Sequence, residues 1–450
     1  MNLHSLNTFN GGRLIAGRRP IRNEEILGEN RIGGYYSSNP ITYGIELQFL
    51  VPVLLSDRRD PHPSDPREAT VVDSVVDSES AVTRDILHIL RGLAEVPTTT
   101  HLGPPYPTRE AFDKLDQESQ AVSGRAEYSQ WIVTIDNSLI PYQDPFHTDY
   151  IWVGVKVKSN KRNLSQAGHF DQIGKAIGVL RANLRIRVPS TTSLSIHVGE
   201  TGRDEQTWDS GPVFFRTFCT MWWFLERYVM QLAHPSRLTN EACLPLRENS
   251  QISRNPIEEL EKDEMHSVDY AHMYQKMQYI IPLLTGPEMT IIQSFWKAKN
   301  AATICQRLTV PVNKWVRMGV MQMPVPGEGK GSIGFSGFCR RALPEINVHN
   351  NGHTGTIEFR CMEGTLDPLL IINWLAVVTR LYDFSRRGNT ADILGILQKS
   401  NLGLGTGQYS GLQLLEDLGL PIQAEYFRTK IETQPEKMSE ELKTLFVPAK

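Results

Sequence analysis

The fold is decided at residues 353–368, which read His353-Thr-Gly-Thr-Ile-Glu-Phe-Arg-Cys-Met-Glu-Gly-Thr-Leu-Asp-Pro368. Polar and apolar residues alternate here, which predicts a β-strand, because side chains two residues apart lie on the same face of a strand. The polar face carries Thr356, Glu358 and Arg360, and the apolar face carries Ile357, Phe359 and Cys361. After a turn, Asp367 suits the N-cap and Pro368 the first position of an apolar helix. By itself the stretch is equally consistent with an ordinary surface strand that carries an ion pair.

Four other segments repeat this alternation and predict further strands. They span residues 41–55, 129–140, 150–159 and 192–199. Apolar residues at helical spacing predict helices at 80–95, 164–184, 212–232, 368–387, 391–400 and 411–418, and residues 245–310 are largely helical and polar. Within the Gly- and Pro-rich residues 321–335, the segment 326–332 fits a flexible loop able to cover a site better than a phosphate-binding P-loop.

The order of these elements predicts an α+β fold. We expect a mainly antiparallel or mixed sheet, with helices packed on its apolar face and an open polar cleft on the other face. No linker or internal repeat divides the chain, so a single domain is expected over residues 41–420. Residues 1–40, rich in Asn, Gly and Arg, predict a mobile N-terminal arm, and residues 421–450 predict a charged C-terminal tail.

Composition excludes several classes of function. The chain has 450 residues, 40% of them hydrophobic and 22% charged, which is ordinary for a globular protein. A formal net charge of −3 argues against a general nucleic-acid binder, and no apolar run is long enough to span a membrane. The N-terminus does not resemble a secretory signal, and the five cysteines form no CxxC pair. A reduced, cytoplasmic protein without structural zinc is expected.

The polar strand faces predict a binding site. Together they bring to one face of the sheet Glu46, Gln48, Thr134, Asp136, Lys156, Ser195, His197, Glu358 and Arg360. Carboxylates and a histidine on one face can hold Mg²⁺, which prefers oxygen ligands and is commonly shared with substrate phosphates. An adjacent arginine suits a phosphate or a carboxylate. The alternative is a solvated face whose charges pair locally.

Six segments resemble, in the same order, those of fungal members of the amidoligase family, which is similar to glutamine synthetases and glutamate–cysteine ligases. They are Gly44-Ile-Glu-Leu-Gln-Phe49, Trp131 with Asp136-x-Ser138, Val153-Gly-Val-Lys-Val-Lys-Ser159, Leu194-Ser-Ile-His-Val-Gly199, His234-Pro-x-Arg237 and Thr356-Ile-Glu-Phe-Arg360 with Glu363-Gly-Thr-Leu-Asp367. The matches run from about Gly44 to Trp374. The last segment is the most specific of the six.

The resemblance implies a glutamine-synthetase-like catalytic fold and ATP-dependent amide-bond formation between a small-molecule or peptide carboxylate and an amine, through an acyl phosphate. ATP and Mg²⁺ are the implied cofactors. Glu46 and Glu358 correspond to metal ligands, and His197 to a ligand or phosphate contact. Arg360 corresponds to a phosphate clamp, with Arg237 in a similar role. Lys156 completes the predicted catalytic group, and the predicted substrate- and nucleotide-binding residues are Gln48, Asp136, Ser195, Arg237 and Glu363.

Three positions on the polar face depart from the family pattern. The family has glutamates where this chain has Gln48 and Lys156, and a histidine where it has Ser195. Ser159-Asn160 also replaces Ser-Pro. A protonated lysine cannot ligate a metal ion and repels it. Three outcomes stay open: a ligase that uses fewer metal ions, an enzyme turned to metal-free, ATP-independent chemistry by Lys156, His197 and Glu358, or an inactive relative that binds a ligand or a partner protein.

Overall fold

The computed structural model describes residues 39–93, 98–100, 130–139, 150–201, 212–254, 286–298, 301–318, 321–335, 356–388, 390–433 and 445–449. Nearly all of the predicted N-terminal arm, residues 1–40, therefore lies outside the described residues. The strand described at the opening motif is Ile357–Glu363.

The centre of the molecule is a mainly antiparallel, nine-stranded sheet within the described residues. Its strands are β1 (Ile41–Leu55), β2 (Thr70–Val72), β3 (Thr98–Thr100), β4 (Trp131–Ile135), β5 (Ile151–Lys158), β6 (Arg162–Asn163), β7 (Ser193–Glu200), β10 (Ile333–Gly334) and β11 (Ile357–Glu363). The main path runs β10-β11-β7-β1-β5-β4-β3, and β2 and β6 pair with β1. Only the β1–β2 and β3–β4 pairs are parallel among these strands. The predicted sheet class is confirmed.

The register places the predicted polar residues beside one another. Glu46 on β1 lies opposite Lys158 on β5 and opposite Ser195 on β7. On the next pair of strands, His197 lies opposite Glu358. Directly opposed residues of antiparallel strands point to the same face, so these side chains converge.

Helices cover the apolar face. The helices are α1 (Ser78–Arg91), α2 (Asp171–Asn183), α3 (Pro212–Met230), α4 (Leu246–Asn249), α5 (Gln251–Arg254), α6 (Gly286–Lys297), α7 (Ala301–Arg307), α8 (Pro368–Arg387), α9 (Thr390–Thr406), α10 (Gly411–Asp417) and α11 (Pro421–Thr433). Phe218 and Trp222 of α3 pack edge-on against Phe359 of β11. As predicted, Asp367 caps α8 by accepting a hydrogen bond from the Leu369 amide at 2.9 Å. None of the described helices is long and apolar enough to cross a bilayer.

Two segments differ from their predicted structure. Residues 326–329 of the predicted flexible loop belong instead to a strand, because β9 (Met321–Gly329) pairs with β8 (Val310–Met318) as a separate hairpin. Helix α11 lies in the stretch expected to be a charged tail. Its Phe427 is fully buried, so the packed body continues past residue 420.

The polar face of the sheet is open over only part of its length. Beyond Gln48, the next cleft-facing residues of β1 include Leu50 and Leu54, which are buried. They form a second apolar cluster with Leu139, Tyr150 and Trp152, against which Ala69, Leu445 and Phe446 pack. The polar part of the cleft therefore ends at an apolar wall, which strand alternation alone does not predict.

Candidate active site

Glu46 is the centre of the polar cluster. Its strand is central in the sheet, and the side chain is only 8% exposed. One carboxylate oxygen, Oε1, lies 3.2 Å from Lys158 Nζ and 3.3 Å from His197 Nε2. The other, Oε2, lies 3.5 Å from Lys156 Nζ. Three cationic or basic groups thus share one carboxylate.

These neighbours determine the protonation of the cluster. Burial alone would raise the pKa of Glu46, but His197, Lys158 and Lys156 outweigh it and hold that pKa well below its usual value. Burial alone would lower the pKa of His197, yet the charges of Glu358 and Glu46 raise it. The cluster therefore favours an ionised carboxylate beside an imidazolium ring.

Glu358 and Arg360 form the second half of the cluster. They point the same way from β11, and Arg360 Nη2 donates to Glu358 Oε2 at 2.5 Å. Burial would raise the pKa of Glu358, but Arg360 and His197 lower it. The Arg360 guanidinium lies directly over Gly334 of β10, where a Cβ atom would stand 2.4 Å from Nη2. The missing side chain at Gly334 therefore makes room for the guanidinium.

Glu46, His197 and Glu358 can together offer three ligand atoms to a metal ion. These atoms lie within 4.8 Å of one another. Opposite ligands of a bound Mg²⁺ stand about 4 Å apart, so the three groups are close to a coordination geometry. Two carboxylates and one imidazole also suit a divalent cation. The residues fit one such ion, provided that it displaces Lys156 and Lys158 from Glu46 and that His197 gives up its proton, because an imidazolium nitrogen has no lone pair for a metal ion.

Asp136 extends the cluster along the sheet. Its Oδ2 atom lies 3.7 Å from Lys156 Nζ. The Asp136 amide donates to the Gly154 carbonyl at 2.8 Å, and the carboxylate accepts a hydrogen bond from the Ser138 amide at 3.2 Å. The turn that begins at Asp136 therefore also fixes its carboxylate beside Lys156.

Gln48 and Ser195 lie next to Glu46 but are buried within the sheet. The side-chain oxygen of Gln48 accepts hydrogen bonds from the amide and hydroxyl of Ser193, at 2.9 and 2.7 Å. Ser195 is 2% exposed. Gln48 is therefore held within the sheet by Ser193, and Ser195 lies opposite Glu46 on the neighbouring strand.

Arg237 and Glu363, the other two predicted binding residues, make contacts within the protein. Arg237 is fully buried and donates to the carbonyls of Thr192 at 3.2 Å and Arg360 at 2.8 Å. Glu363 accepts from Lys430 Nζ at 2.6 Å and from the His234 amide at 2.8 Å. Arg237 braces the main chain of Arg360, and Glu363 joins β11 to α11.

Two lysines of the site were not among the predicted residues. Lys158 could have been found, because it shares the strand face of Lys156 and lies opposite Glu46. Lys330 follows β9, and its pKa is lowered by desolvation and by the positive charges of Lys156 and Arg360. The only sequence signal for Lys330 was its position within residues 326–332, the segment expected to cover a site.

The cluster carries more cationic than anionic groups among the described residues. Glu46, Glu358 and Asp136 face Lys156, Lys158, Lys330, Arg360 and the imidazolium of His197. Such a site attracts anions. Comparisons with family models, with curated proteins and with solved structures found no match.

Proposed function

We propose that the chain is an ATP-dependent carboxylate–amine ligase with a glutamine-synthetase-like catalytic fold. The observation that carries this proposal is the trio of Glu46, His197 and Glu358, bordered by Arg360 and Lys156 on one face of an antiparallel sheet. The trio suits a divalent cation, and the flanking cations suit phosphate oxygens. The resemblance of these same strands to the amidoligase family supports the proposal.

The residues divide between two tasks. Glu46, Glu358 and His197 would hold Mg²⁺, which supplies charge neutralisation for the phosphates. Arg360 offers two parallel hydrogen bonds to a phosphate or carboxylate, and Lys156 and Lys330 add positive charge beside it. A substrate carboxylate oxygen attacks the γ-phosphorus as the bond to ADP breaks. The amine nitrogen then attacks the acyl carbon, loses a proton, and phosphate leaves.

A second candidate follows from the two lysines on Glu46. Lys156 and Lys158 contact opposite oxygens of its carboxylate and occupy the position of a metal charge. In this candidate, the cluster binds an anionic substrate without a metal ion, and Lys156, His197 and Glu358 orient it. The two candidates differ in one measurable respect, because only the ligase requires Mg²⁺-dependent binding of ATP.

Calorimetric titration of ATP into the wild type, with Mg²⁺ and with EDTA, tests the ligase. The expected result is binding that requires Mg²⁺ and weakens at least tenfold in Glu358→Ala, because that variant loses a metal ligand and the partner of Arg360. Glu432→Ala is the matched control, since Glu432 is exposed on α11. Equal binding with EDTA would contradict the role of Mg²⁺ in the ligase. No ATP binding under either condition would overturn the ligase.

A further inference from the structure

The apolar wall of the cleft holds the aromatic side chain of Phe446. Its ring centroid lies 5.6 Å from that of His62, 5.9 Å from that of Tyr150 and 6.4 Å from that of Trp152. The guanidinium of Arg185 lies 5.8 Å from the same ring centroid. Phe446 thus contacts three rings and a cation while remaining partly exposed, as an aromatic anchor does in a shallow binding groove.

The main chain on either side of this anchor is recognised by hydrogen bonds. The Val447 amide donates to the Ile186 carbonyl at 2.7 Å, and the Val447 carbonyl accepts from Arg67 Nη1 at 2.8 Å. Arg181 Nε donates to the Pro448 carbonyl at 3.0 Å. An aromatic anchor with hydrogen bonds to the adjacent main chain is typical of an extended peptide bound to a protein surface.

The receiving surface is held together by contacts of its own. Arg67 pairs with Asp65 at 2.6 Å and also donates to the Leu184 carbonyl at 3.0 Å. Arg185 pairs with Asp60 at 2.8 Å, and Asp60 also accepts from the Tyr150 hydroxyl at 2.9 Å. These ion pairs form between residues of the groove itself, so part of the groove is held by contacts that do not involve residues 445–449.

The groove adjoins the active-site cluster through a short turn. Leu139 belongs to the apolar cluster against which Phe446 packs. The same 3₁₀ turn, Asn137–Leu139, directly follows Asp136, whose carboxylate lies 3.7 Å from Lys156. Packing of Phe446 against the cluster that contains Leu139 therefore helps to hold Asp136 in place.

We propose that residues 445–449 are the resident ligand of a peptide-docking groove formed by Arg67, Tyr150, Trp152, Arg181 and Ile186, and that its occupancy positions Asp136 in the cleft. The ligand chemistry is an aromatic residue followed by an aliphatic residue and proline, Phe446-Val-Pro448. The proposal is independent of the ligase, because it concerns this groove and the position of Asp136.

A synthetic peptide with the sequence of residues 441–450 tests the docking. The receptor is the full chain with Phe446→Ala, whose own segment has lost its anchor. We expect calorimetric binding of the peptide to this variant and at least tenfold weaker binding to the wild type, whose tethered segment competes at an effective concentration on the order of millimolar. The same peptide with Phe446→Ala should bind at least tenfold more weakly to the variant. Failure of the first peptide to bind the folded variant would overturn the proposal.

Hydrogen exchange tests the link to the cleft. In Phe446→Ala, the amide of Asp136 should exchange at least tenfold faster than in the wild type, and the peptide should restore its protection, while the amides of β11 stay unchanged. Exchange at Asp136 that is the same with and without peptide would overturn the positioning role.

A second variant covers the case in which Phe446→Ala does not fold. It carries a protease site inserted within residues 434–444, and it is cut after folding. Release of the C-terminal fragment on gel filtration, with rebinding when it is added back, supports a ligand-like segment. Retention of the fragment until the whole chain unfolds would show a permanent part of the core and overturn the proposal.

Discussion

At the scale of single residues, the charge on Glu46 decides what the cleft can bind. A metal ion would have to replace Lys156 at 3.5 Å and Lys158 at 3.2 Å. Removal of Lys156 frees one carboxylate oxygen and removes a positive charge that repels the ion. We expect Lys156→Ala to bind Mn²⁺ about tenfold more tightly than the wild type, which corresponds to about 1.4 kcal/mol.

Titration of Mn²⁺ followed by electron paramagnetic resonance measures this affinity. Lys161→Ala, which removes an exposed lysine next to the end of β5, is the control and should leave the affinity unchanged. Weaker or unchanged Mn²⁺ binding in Lys156→Ala would mean that this lysine does not compete with the ion for Glu46.

Strand periodicity predicted which residues face the cleft, because the alternation depends only on the local chain. Glu46, Lys156, His197 and Glu358 lie together as expected. The same pattern could not show that the partner of Gln48 would be Ser193, because that contact depends on the pairing of distant strands. The contacts of Arg237 were unpredictable for the same reason, because the carbonyl groups that it binds belong to distant parts of the chain.

At the scale of elements, β10 shapes the site because its Gly334 has no side chain. A Cβ atom at Gly334 would meet only the far end of Arg360, a flexible side chain that can move aside. We expect Gly334→Ala to cost less stability than a substitution against a fixed neighbour and to weaken ATP binding at least tenfold, because Arg360 is pushed from Glu358. Chemical denaturation and calorimetry measure the two effects.

Gly364→Ala is the contrasting variant. Its Cβ atom would stand 2.0 Å from Thr192 Oγ1 and 2.7 Å from Thr192 Cβ, within a packed interior. Overpacking of this kind costs about 1–3 kcal/mol, so we expect a clear loss of stability. Equal stability losses in the two variants would contradict the distinction between a movable and a fixed neighbour.

The hairpin of β8 and β9 shows why some elements were mispredicted. Pro324, Pro326 and Gly327 suggested a loop, because proline and glycine disfavour strand interiors. In the structure this segment pairs over its whole length with β8, in a two-stranded sheet. Proline is tolerated in a strand that lies at the edge of a sheet. Amino-acid composition does not show whether a strand will lie at an edge, so the strand could not be predicted.

At the scale of the whole molecule, the sequence predicted the sheet and the helices that cover it. It was less successful at predicting where the packed domain ends along the chain. Alternating strands and amphipathic helices depend on local patterns, and both were confirmed. The cleft-facing Leu50 and Leu54 and the charged C-terminal stretch acquire their roles only through contacts with distant residues. Helix α11 illustrates this, because Lys430, which looked like part of a solvated tail, binds Glu363 of β11 at 2.6 Å.

Helix α11 should therefore contribute to the stability of the whole domain. Phe427 is fully buried, so Phe427→Ala is expected to lower the free energy of unfolding by about 3–5 kcal/mol. Ile422 lies on the same helix with 61% of its surface exposed, and Ile422→Ala should cost less than about 0.5 kcal/mol. Urea denaturation followed by circular dichroism measures both. Equal losses of unfolding free energy in Phe427→Ala and Ile422→Ala would show that α11 is a separate tail. Only a helix that packs on the core passes the loss of a buried ring on to the main unfolding transition.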